Sequence, residues 1–224
     1  MTPLRVKTGI NGFDKLCQGG LVNNSVNLIS GAPGTGKTIF ALQFLYNGIK
    51  EGEKGVYFSF EENIEDLKKD ALMFGWEFDV LEREKKCRFI YVYPYELTNF
   101  QSQMLNEIAR LGAKRVVIDS TSAFGMALEN DYEVRKSLFA IISELKKLEC
   151  TAILTSEIVS SDNVGSSISR FGVEEFVADS VITLHNEHGK TNGRNLEIIK
   201  MRRTNHSKGL IPFKITDKGI AADK

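Results

Sequence analysis

The residues Gly31-Ala-Pro-Gly34-Thr35-Gly36-Lys37-Thr38 carry the most specific chemical signal in the chain. Their spacing is G-x-x-x-x-G-K-[ST], in which glycines let successive backbone N–H groups curl around a polyphosphate. Lys37 is placed to reach the β- and γ-phosphates of a nucleoside triphosphate, and the Thr38 hydroxyl to ligate Mg²⁺. Such a loop works between a strand and a helix, because the helix N-terminus adds partial positive charge toward the anion. Val26 to Ser30 reads as the strand. Ile39, Ala41, Leu42, Phe44, Leu45 and Ile49 have the spacing of a helix with one buried face. Together these features imply binding of a nucleoside triphosphate.

Further residues could complete that chemistry. Asp119 ends the run Arg115-Val-Val-Ile-Asp119, so an apolar strand delivers one acid to the phosphate edge of a sheet, where it could hold Mg²⁺. Glu61 and Glu62 follow the strand-like Val56 to Phe60. A carboxylate there could take a proton from an attacking water. An acid near a helix start is also what the helix dipole favours, so chemistry alone does not choose between the two. Lys200 and Arg202 fall on one face of a predicted strand, with Arg203 opposite. That pair reads either as a solvated edge or as a clamp on a polyphosphate, and spacing alone favours the solvated edge.

The elements that must position these groups alternate along the chain, as in a parallel sheet covered by helices. Strands are expected at Gly55 to Ser59, Arg88 to Tyr93 (ending at Pro94), Val116 to Ile118 and Thr151 to Thr155. Helices are expected at Ile64 to Phe74, Phe100 to Leu111 and Glu133 to Leu148. Ser156 to Ser169 is polar and serine-rich, which suggests a mobile loop. Ser180 to His185, Leu196 to Met201 and Phe213 to Ile215 read as strands joined by turns at Gly189, Gly193 and Gly209, forming an antiparallel edge. With no linker or repeat in its 224 residues, the chain is expected to be one domain.

Composition narrows the partners. The 29 basic and 29 acidic residues cancel, so overall charge gives no reason to expect nucleic acid or an anionic membrane. Cys17, Cys87 and Cys150 lack metal-ligand spacing and are expected to be reduced thiols. The N-terminal residues lack the apolar core of a signal peptide, and no apolar run is long enough to span a bilayer. A soluble, cytoplasmic protein is therefore expected.

Several further motifs occur in a telling order: Thr8-Gly-Ile-Asn-Gly-Phe-Asp14, Gly19-Gly-Leu, the phosphate loop, Ser59-Phe-Glu-Glu62, Phe74-Gly-Trp76, Ile118-Asp-Ser, Gly172-Val-Glu-Glu-Phe-Val-Ala-Asp179 and Lys200-Met-Arg-Arg-Thr-Asn-His206. From Thr8 to Ala221 the chain resembles a single domain of the KaiC family, within the RecA superfamily. That resemblance implies an α/β fold with a mostly parallel central sheet flanked by helices and an added C-terminal antiparallel β-hairpin. It implies a homo-oligomer, a hexameric ring with ATP and Mg²⁺ between neighbouring subunits.

By the same resemblance Gly31, Gly34, Thr35, Gly36, Lys37, Thr38 and Ile39 hold the nucleotide, Thr38, Asp119 and Glu61 serve the metal, and Glu61 is the proton acceptor with Glu62 beside it. Lys200, Met201, Arg202, Thr204, His206, Thr216 and Asp217 reach across to the neighbour's nucleotide, which reverses the edge-strand preference for Lys200 and Arg202. Phe74-Gly-Trp76 falls near the base. The positions matching the family's phosphorylated pair are Glu175 and Phe176, so phosphorylation there is not expected; Ser166, Ser167 and Ser169 lie nearby. Arg203 stands where the motif usually has Gly.

The leading expectation is a slow ATPase that signals through its ring to a protein partner the sequence does not identify. A recombinase-like ATPase binding single-stranded DNA is less favoured, because Ser156 to Arg170 offers one cation and no aromatic residue. A non-hydrolysing ATP-binding scaffold, like the archaellum accessory protein, is disfavoured by retention of Glu61 and Glu62.

Overall fold

The computed structural model describes residues 3–93, 95, 97–128, 130–158, 168–186 and 193–223. In chain order the elements are β1 (Arg5–Val6), α1 (Phe13–Leu16), β2 (Leu21–Val22), β3 (Val26–Gly31), α2 (Lys37–Lys50), β4 (Gly55–Ser59), α3 (Ile64–Leu72), α4 (Phe78–Arg83) and β5 (Cys87–Tyr91). There follow α5 (Leu97–Leu111), β6 (Arg115–Asp119), a 3₁₀ turn at Thr121–Ala123, α6 (Phe124–Ala127), α7 (Asp131–Lys147), β7 (Thr151–Glu157), α8 (Glu174–Val177), β8 (Ser180–Asn186), β9 (Arg194–Met201), β10 (Ile211–Thr216) and β11 (Gly219–Ala222).

Nine strands form one sheet in the order β11-β10-β9-β8-β3-β7-β6-β4-β5. The run from β5 to β8 is parallel. β8 to β11 pair antiparallel. β3, β4 and β6 are buried along their whole length, as strands covered by helices on both faces must be, which is why they read as apolar runs and not as alternating patterns. Phe40, Phe44, Leu67, Trp76 and Phe78 pack with Ile29, Tyr57 and Val117 on one face. Phe100, Met104, Phe124, Leu138 and Ile142 pack with Leu28, Phe58 and Ile118 on the other.

The register brings the carboxyl ends of β3, β4 and β6 to one edge. Ser59 lies opposite Asp119, Ile118 opposite Leu154, and Ser30 opposite Ser156. That edge therefore gathers the phosphate loop, Glu61 and Asp119, the crevice where open α/β sheets bind ligands.

Several elements depart from the sequence expectation. The helix begun at Ile64 stops at Leu72, because Gly75 takes a left-handed φ of 77°, and a second short helix, α4, follows. β11 was not anticipated: its Gly-Ile-Ala-Ala sequence has weak strand character and is held by pairing with β10. A register shift between Val181 and Ile182 leaves Ile199 unpaired on β9, which ends at Met201. Arg202 and Arg203 thus occupy a turn beyond the strand, and simple alternation with Lys200 does not apply. Pro94, Gly189, Ser166, Ser167 and the middle of the loop between Ser156 and Ser169 lie outside the described residues.

One buried cation ties α2 to the sheet. The Arg115 guanidinium donates to Glu53 (2.5 Å) and to the Phe44 and Lys7 carbonyl oxygens (2.6 and 2.8 Å), and lies 4.6 Å from the Phe44 ring centroid. It fits because Gly48 has no side chain: a Cβ there would sit 2.0 Å from Arg115 Nε. Gly48→Ala should destabilise the protein by about 3 kcal/mol despite Ala's higher helix propensity, since overpacking displaces a hydrogen-bonded cation. A lowered denaturation midpoint at unchanged m-value would register it. The three cysteines are buried and unpaired, and burial pushes the Cys17 and Cys87 thiols up to about 12 and Cys150 to about 11.

Candidate functional site

The phosphate loop is built for an anion. α3 and α7 are closed by side chains: Asn63 accepts from the Asp66 amide and Asn130 from the Glu133 amide, both at 3.0 Å. α2 has no side-chain cap; its N-cap is Gly36, at φ 104°. Its first-turn amides are left for a ligand. Gly34 also has positive φ (75°), and a Cβ there would meet nothing within 4 Å, so the loop opens onto free space. Thr35 is buried and donates to the Ala32 carbonyl at 2.8 Å, bracing the loop. Ile39 packs partly buried against the core and offers the site its backbone.

Lys37 Nζ donates to the Gly31 and Ala32 carbonyl oxygens at 2.9 and 3.1 Å, so the ammonium is folded over the loop. Burial lowers its pKa, opposed by the negative charges of Glu157, Asp119 and Glu61. A triphosphate in the cradle would replace those carbonyls with charged oxygens, a stronger bond for the same ammonium.

Asp119 sits at the end of β6, where it is a shared acceptor. Oδ2 takes the Thr38 hydroxyl at 3.0 Å and the Tyr57 hydroxyl at 2.5 Å, and Oδ1 takes the Thr155 hydroxyl. Thr38 and Asp119 are therefore in direct contact, and oxygen donors of this type suit Mg²⁺. Tyr57 and Thr155 hold the carboxylate from behind. Tyr57 is fully buried, and burial together with the Asp119 charge raises its pKa well above the ordinary value, so it remains a donor. If the Thr38 and Asp119 oxygens hold Mg²⁺, Tyr57→Phe should raise the Mg²⁺ concentration needed for tight nucleotide binding about 10-fold, as losing a partner behind a metal ligand generally does. A Mg²⁺ titration of nucleotide affinity would measure it.

Glu61 and Glu62 part company at the end of β4. The Ser120 hydroxyl donates to Glu61, whose carboxyl faces Asp119, Glu157 and Lys37. Desolvation raises its pKa, the Ser120 bond works against that, and Asp119 and Glu157 add to the rise. Glu62 is anchored by its backbone, its carbonyl accepting from Ser59 Oγ at 2.5 Å. Its pKa is raised mainly by burial, with the charges of Asp70, Asp119 and Asp66 adding to the rise and no lysine among the described residues opposing it. The geometry thus separates two residues that sequence left equivalent: Glu61 points into the crevice with Asp119 and Lys37.

The remaining residues fall into two groups. Ile215 packs on the start of α2, its Cδ1 3.4 Å from a Cβ placed on Gly36. The β10–β11 turn carrying Thr216 and Asp217 therefore adjoins its own protomer's phosphate loop. Thr216 Oγ1 donates to the Gly219 carbonyl at 2.9 Å and closes that turn. Nearby, Trp76 stacks on Tyr46 (5.8 Å) and contacts Phe74 (4.8 Å).

Lys200, Met201, Arg202, Thr204 and His206 lie at the far end of the sheet. Lys200 is opposite Val181, which pairs with Leu28, whereas Gly31 pairs with Leu184. At ordinary strand spacings that is roughly 10 Å along the sheet and roughly 10 Å across it from the loop. Lys200 Nζ donates to the carbonyls of Ala178 (2.7 Å), Glu175 (2.9 Å) and Phe176 (3.5 Å). Burial lowers its pKa, with the Arg202 charge adding to the effect. Met201 is buried. Arg202 is half exposed and 3.8 Å from Asp179 Oδ1. Thr204 Oγ1 accepts from Arg5 at 2.8 Å, and His206 Nδ1 donates to the Ser207 carbonyl at 2.8 Å. The two basic side chains cannot serve their own phosphate loop. Ser169 is fully buried against Glu174, which leaves its hydroxyl no access to a phosphoryl donor.

Sequence reasoning missed Tyr57, Ser120 and Thr155. Tyr57 had a signal, since a tyrosine inside an apolar buried strand needs a partner for its hydroxyl. Thr155 also had one, standing near the carboxyl end of a parallel strand.

A family model described as "ATPase: KaiC" matches residues 6–223. The chain belongs to the KaiC family. It is 39% identical to the circadian clock oscillator protein KaiC of Synechococcus elongatus over 228 residues, covering 96% of this chain and 43% of that protein. It is 41% identical to the KaiC of Parathermosynechococcus lividus over 226 residues, covering 96% and 41%. The chain thus spans less than half the length of these KaiC relatives. The crystal structure of a KaiC-like protein from the hyperthermophilic archaeon Pyrococcus horikoshii aligns with a TM-score of 0.89 at 37% identity, covering 99% of this chain and all of that one. The sheet with its antiparallel C-terminal strands is accordingly the KaiC-type, RecA-like fold. Among the described residues no helix is long and apolar enough to cross a membrane.

Proposed function

We propose that this chain is a cytoplasmic, Mg²⁺-dependent ATPase, forming one KaiC-type domain whose catalytic site is completed by a second copy of itself in a six-membered ring. The observation that carries the reading is the separation of its two halves. The uncapped α2, Lys37, Thr38, Asp119 and Glu61 meet at one sheet edge, while Lys200 and Arg202 are held beyond reach at the other. Cations so placed can meet the phosphates only of a neighbour's nucleotide, and a closed ring lets every copy give and receive the same contact.

Thr38 and Asp119 would hold Mg²⁺, which when bound supplies charge neutralisation to the β- and γ-phosphates. The loop amides and Lys37 fix the triphosphate. Glu61, fixed by Ser120, accepts the proton of the attacking water as its oxygen bonds to the γ-phosphorus. The bond from that phosphorus to the bridging oxygen breaks, and ADP leaves with the electron pair. The neighbour's Arg202 and Lys200 stabilise charge on the transferring group. Likeness to the clock oscillator proteins of its family supports regulation of a protein partner through nucleotide-dependent ring shape.

Phosphate release by the purified protein, followed across protein concentrations, tests this reading. Turnover per chain should rise with concentration and then saturate as rings fill. A nucleotide that binds without being cleaved would support the scaffold alternative, and salt-dependent retention on single-stranded DNA would support the recombinase-like one.

A further inference from the structure

Lys200 is fully occupied within its own protomer. Its ammonium has three protons, and the Glu175, Phe176 and Ala178 carbonyls take them. These carbonyls belong to the end of α8 and the residue after it, a helix of four residues that cannot persist without tertiary anchors. Its other anchor is Glu174, completely buried, which accepts from Ser156 (3.1 Å) and Ser169 (2.7 Å) and shares the Thr121 hydroxyl (3.3 Å) with the Thr155 carbonyl (3.0 Å). Thr121 directly follows Ser120, which holds Glu61. Ser156 directly follows Thr155, which holds Asp119. α8 is thus gripped by Lys200 at one end and grips the catalytic segment at the other. Lys146 also donates to the Val177 carbonyl and to Asp179, both at 3.2 Å, but it sits on α7 and keeps that grip whatever a neighbour does.

We propose that Lys200 and Glu174 are positioning residues that couple adjacent sites: Lys200 alternates between its own α8 carbonyls and the neighbour's phosphates, and through Glu174 this choice sets Glu61 in its own protomer. The inference rests on the shared-site reading above. When Lys200 turns to a neighbour's nucleotide it releases α8, and Glu174 relaxes its hold on Thr121 and Ser156. Each protomer then senses the occupancy of the next through a chain of direct hydrogen bonds.

Mixed rings separate this inference from its premise. Lys37→Ala destroys a protomer's own phosphate loop but leaves its Lys200; Lys200→Ala does the reverse. In an equal mixture about one interface in four joins an intact loop to an intact Lys200. If Lys200 acts only on its neighbour, turnover returns to about a quarter of wild type. With the relay, a wild-type Lys200 returns to α8 and re-sets Glu61 each time the neighbour's γ-phosphate is gone, whereas the rescued sites lie in protomers whose α8 stays released throughout. Their turnover should stay at least about five-fold below that quarter, as expected when catalytic groups lose their fixed geometry. Recovery to the full quarter overturns the relay while sparing the shared site. Wild-type turnover by Lys200→Ala alone overturns the premise.

Glu174→Gln gives an independent reading that needs no mixing. It preserves shape and one acceptor, and should lower kcat about 10-fold with KM for ATP unchanged, the split expected of a positioning residue. Unchanged kcat, or a loss confined to KM, would overturn the proposal.

Discussion

Glu61→Gln should leave Mg·ATP bound and nearly stop its hydrolysis, with kcat falling about 10²- to 10⁴-fold, the usual worth of a positioned proton acceptor. The amide keeps the Ser120 contact and the shape of the crevice but cannot take a proton. Nucleotide affinity should hold or improve, because removing one negative charge beside Asp119 and Glu157 eases repulsion of the phosphates. The matching Glu62→Gln change should cost under about 10-fold, since it is the Glu61 carboxyl that Ser120 holds and that has the Lys37 charge beside it. The pH profile carries the same signature. Glu61 acts as a base only when ionised, and desolvation raises its pKa above that of an ordinary glutamate. Turnover should therefore fall with acidification at a higher pH than an ordinary glutamate would give, and that acidic limb should vanish from what activity Glu61→Gln retains. Single-turnover phosphate release from pre-bound ATP separates binding from chemistry in each case.

Arg202→Ala should lower turnover about 10³-fold at saturating ATP, the scale of a guanidinium supplied from a neighbour to a transferring phosphoryl group. Stability of the free protomer should barely change. Arg202 is half exposed and its one ion pair, to Asp179, is 3.8 Å long, a contact worth under about 1 kcal/mol. A large loss of rate with an unchanged melting temperature is the combination that a structural role would not produce. Arg202→Lys should recover little of the rate, because an ammonium cannot reproduce the planar fork of donors. Rates measured with and without an excess of Lys37→Ala protomers, which donate an intact Arg202, would show whether the residue acts in the neighbour.

The parallel half of the fold was legible because its strands are apolar from end to end and its helices are long enough to show a period. Val26 to Ser30, Gly55 to Ser59 and Val116 to Ile118 emerge within a residue of their observed bounds. The short helices α4 and α8 span under two turns, too few to show a helical period, and β11 is a Gly-Ile-Ala-Ala run of weak strand character; all three owe their conformation to their partners. The metal-side residues Thr38 and Asp119 could be paired from motif and strand end alone, and they meet at 3.0 Å. Glu61 and Glu62 could not be separated, because which carboxylate enters the crevice depends on Ser120 and Ser59, two hydroxyls with no periodic signature. Lys200 and Arg202 were read from alternation as sharing a strand face; the irregularity at Ile199 and the turn after Met201 invalidate that spacing. Arg203 has a physical account in the fold: its φ of 57° is left-handed, which explains why the motif usually has Gly there. Thr216 and Asp217 look alike in the resemblance to the Lys200 group, yet β10 returns them to the phosphate edge of their own protomer.

The claim that one copy binds the triphosphate and the next completes the site is tested most directly by sedimentation of the active enzyme. Mass and phosphate release would be followed together as protein is diluted in saturating Mg·ATP. The shared site predicts a multimer under turnover conditions, with activity per chain collapsing at the same concentration at which the multimer dissociates. Monomers that go on hydrolysing ATP at the undiminished rate would contradict it.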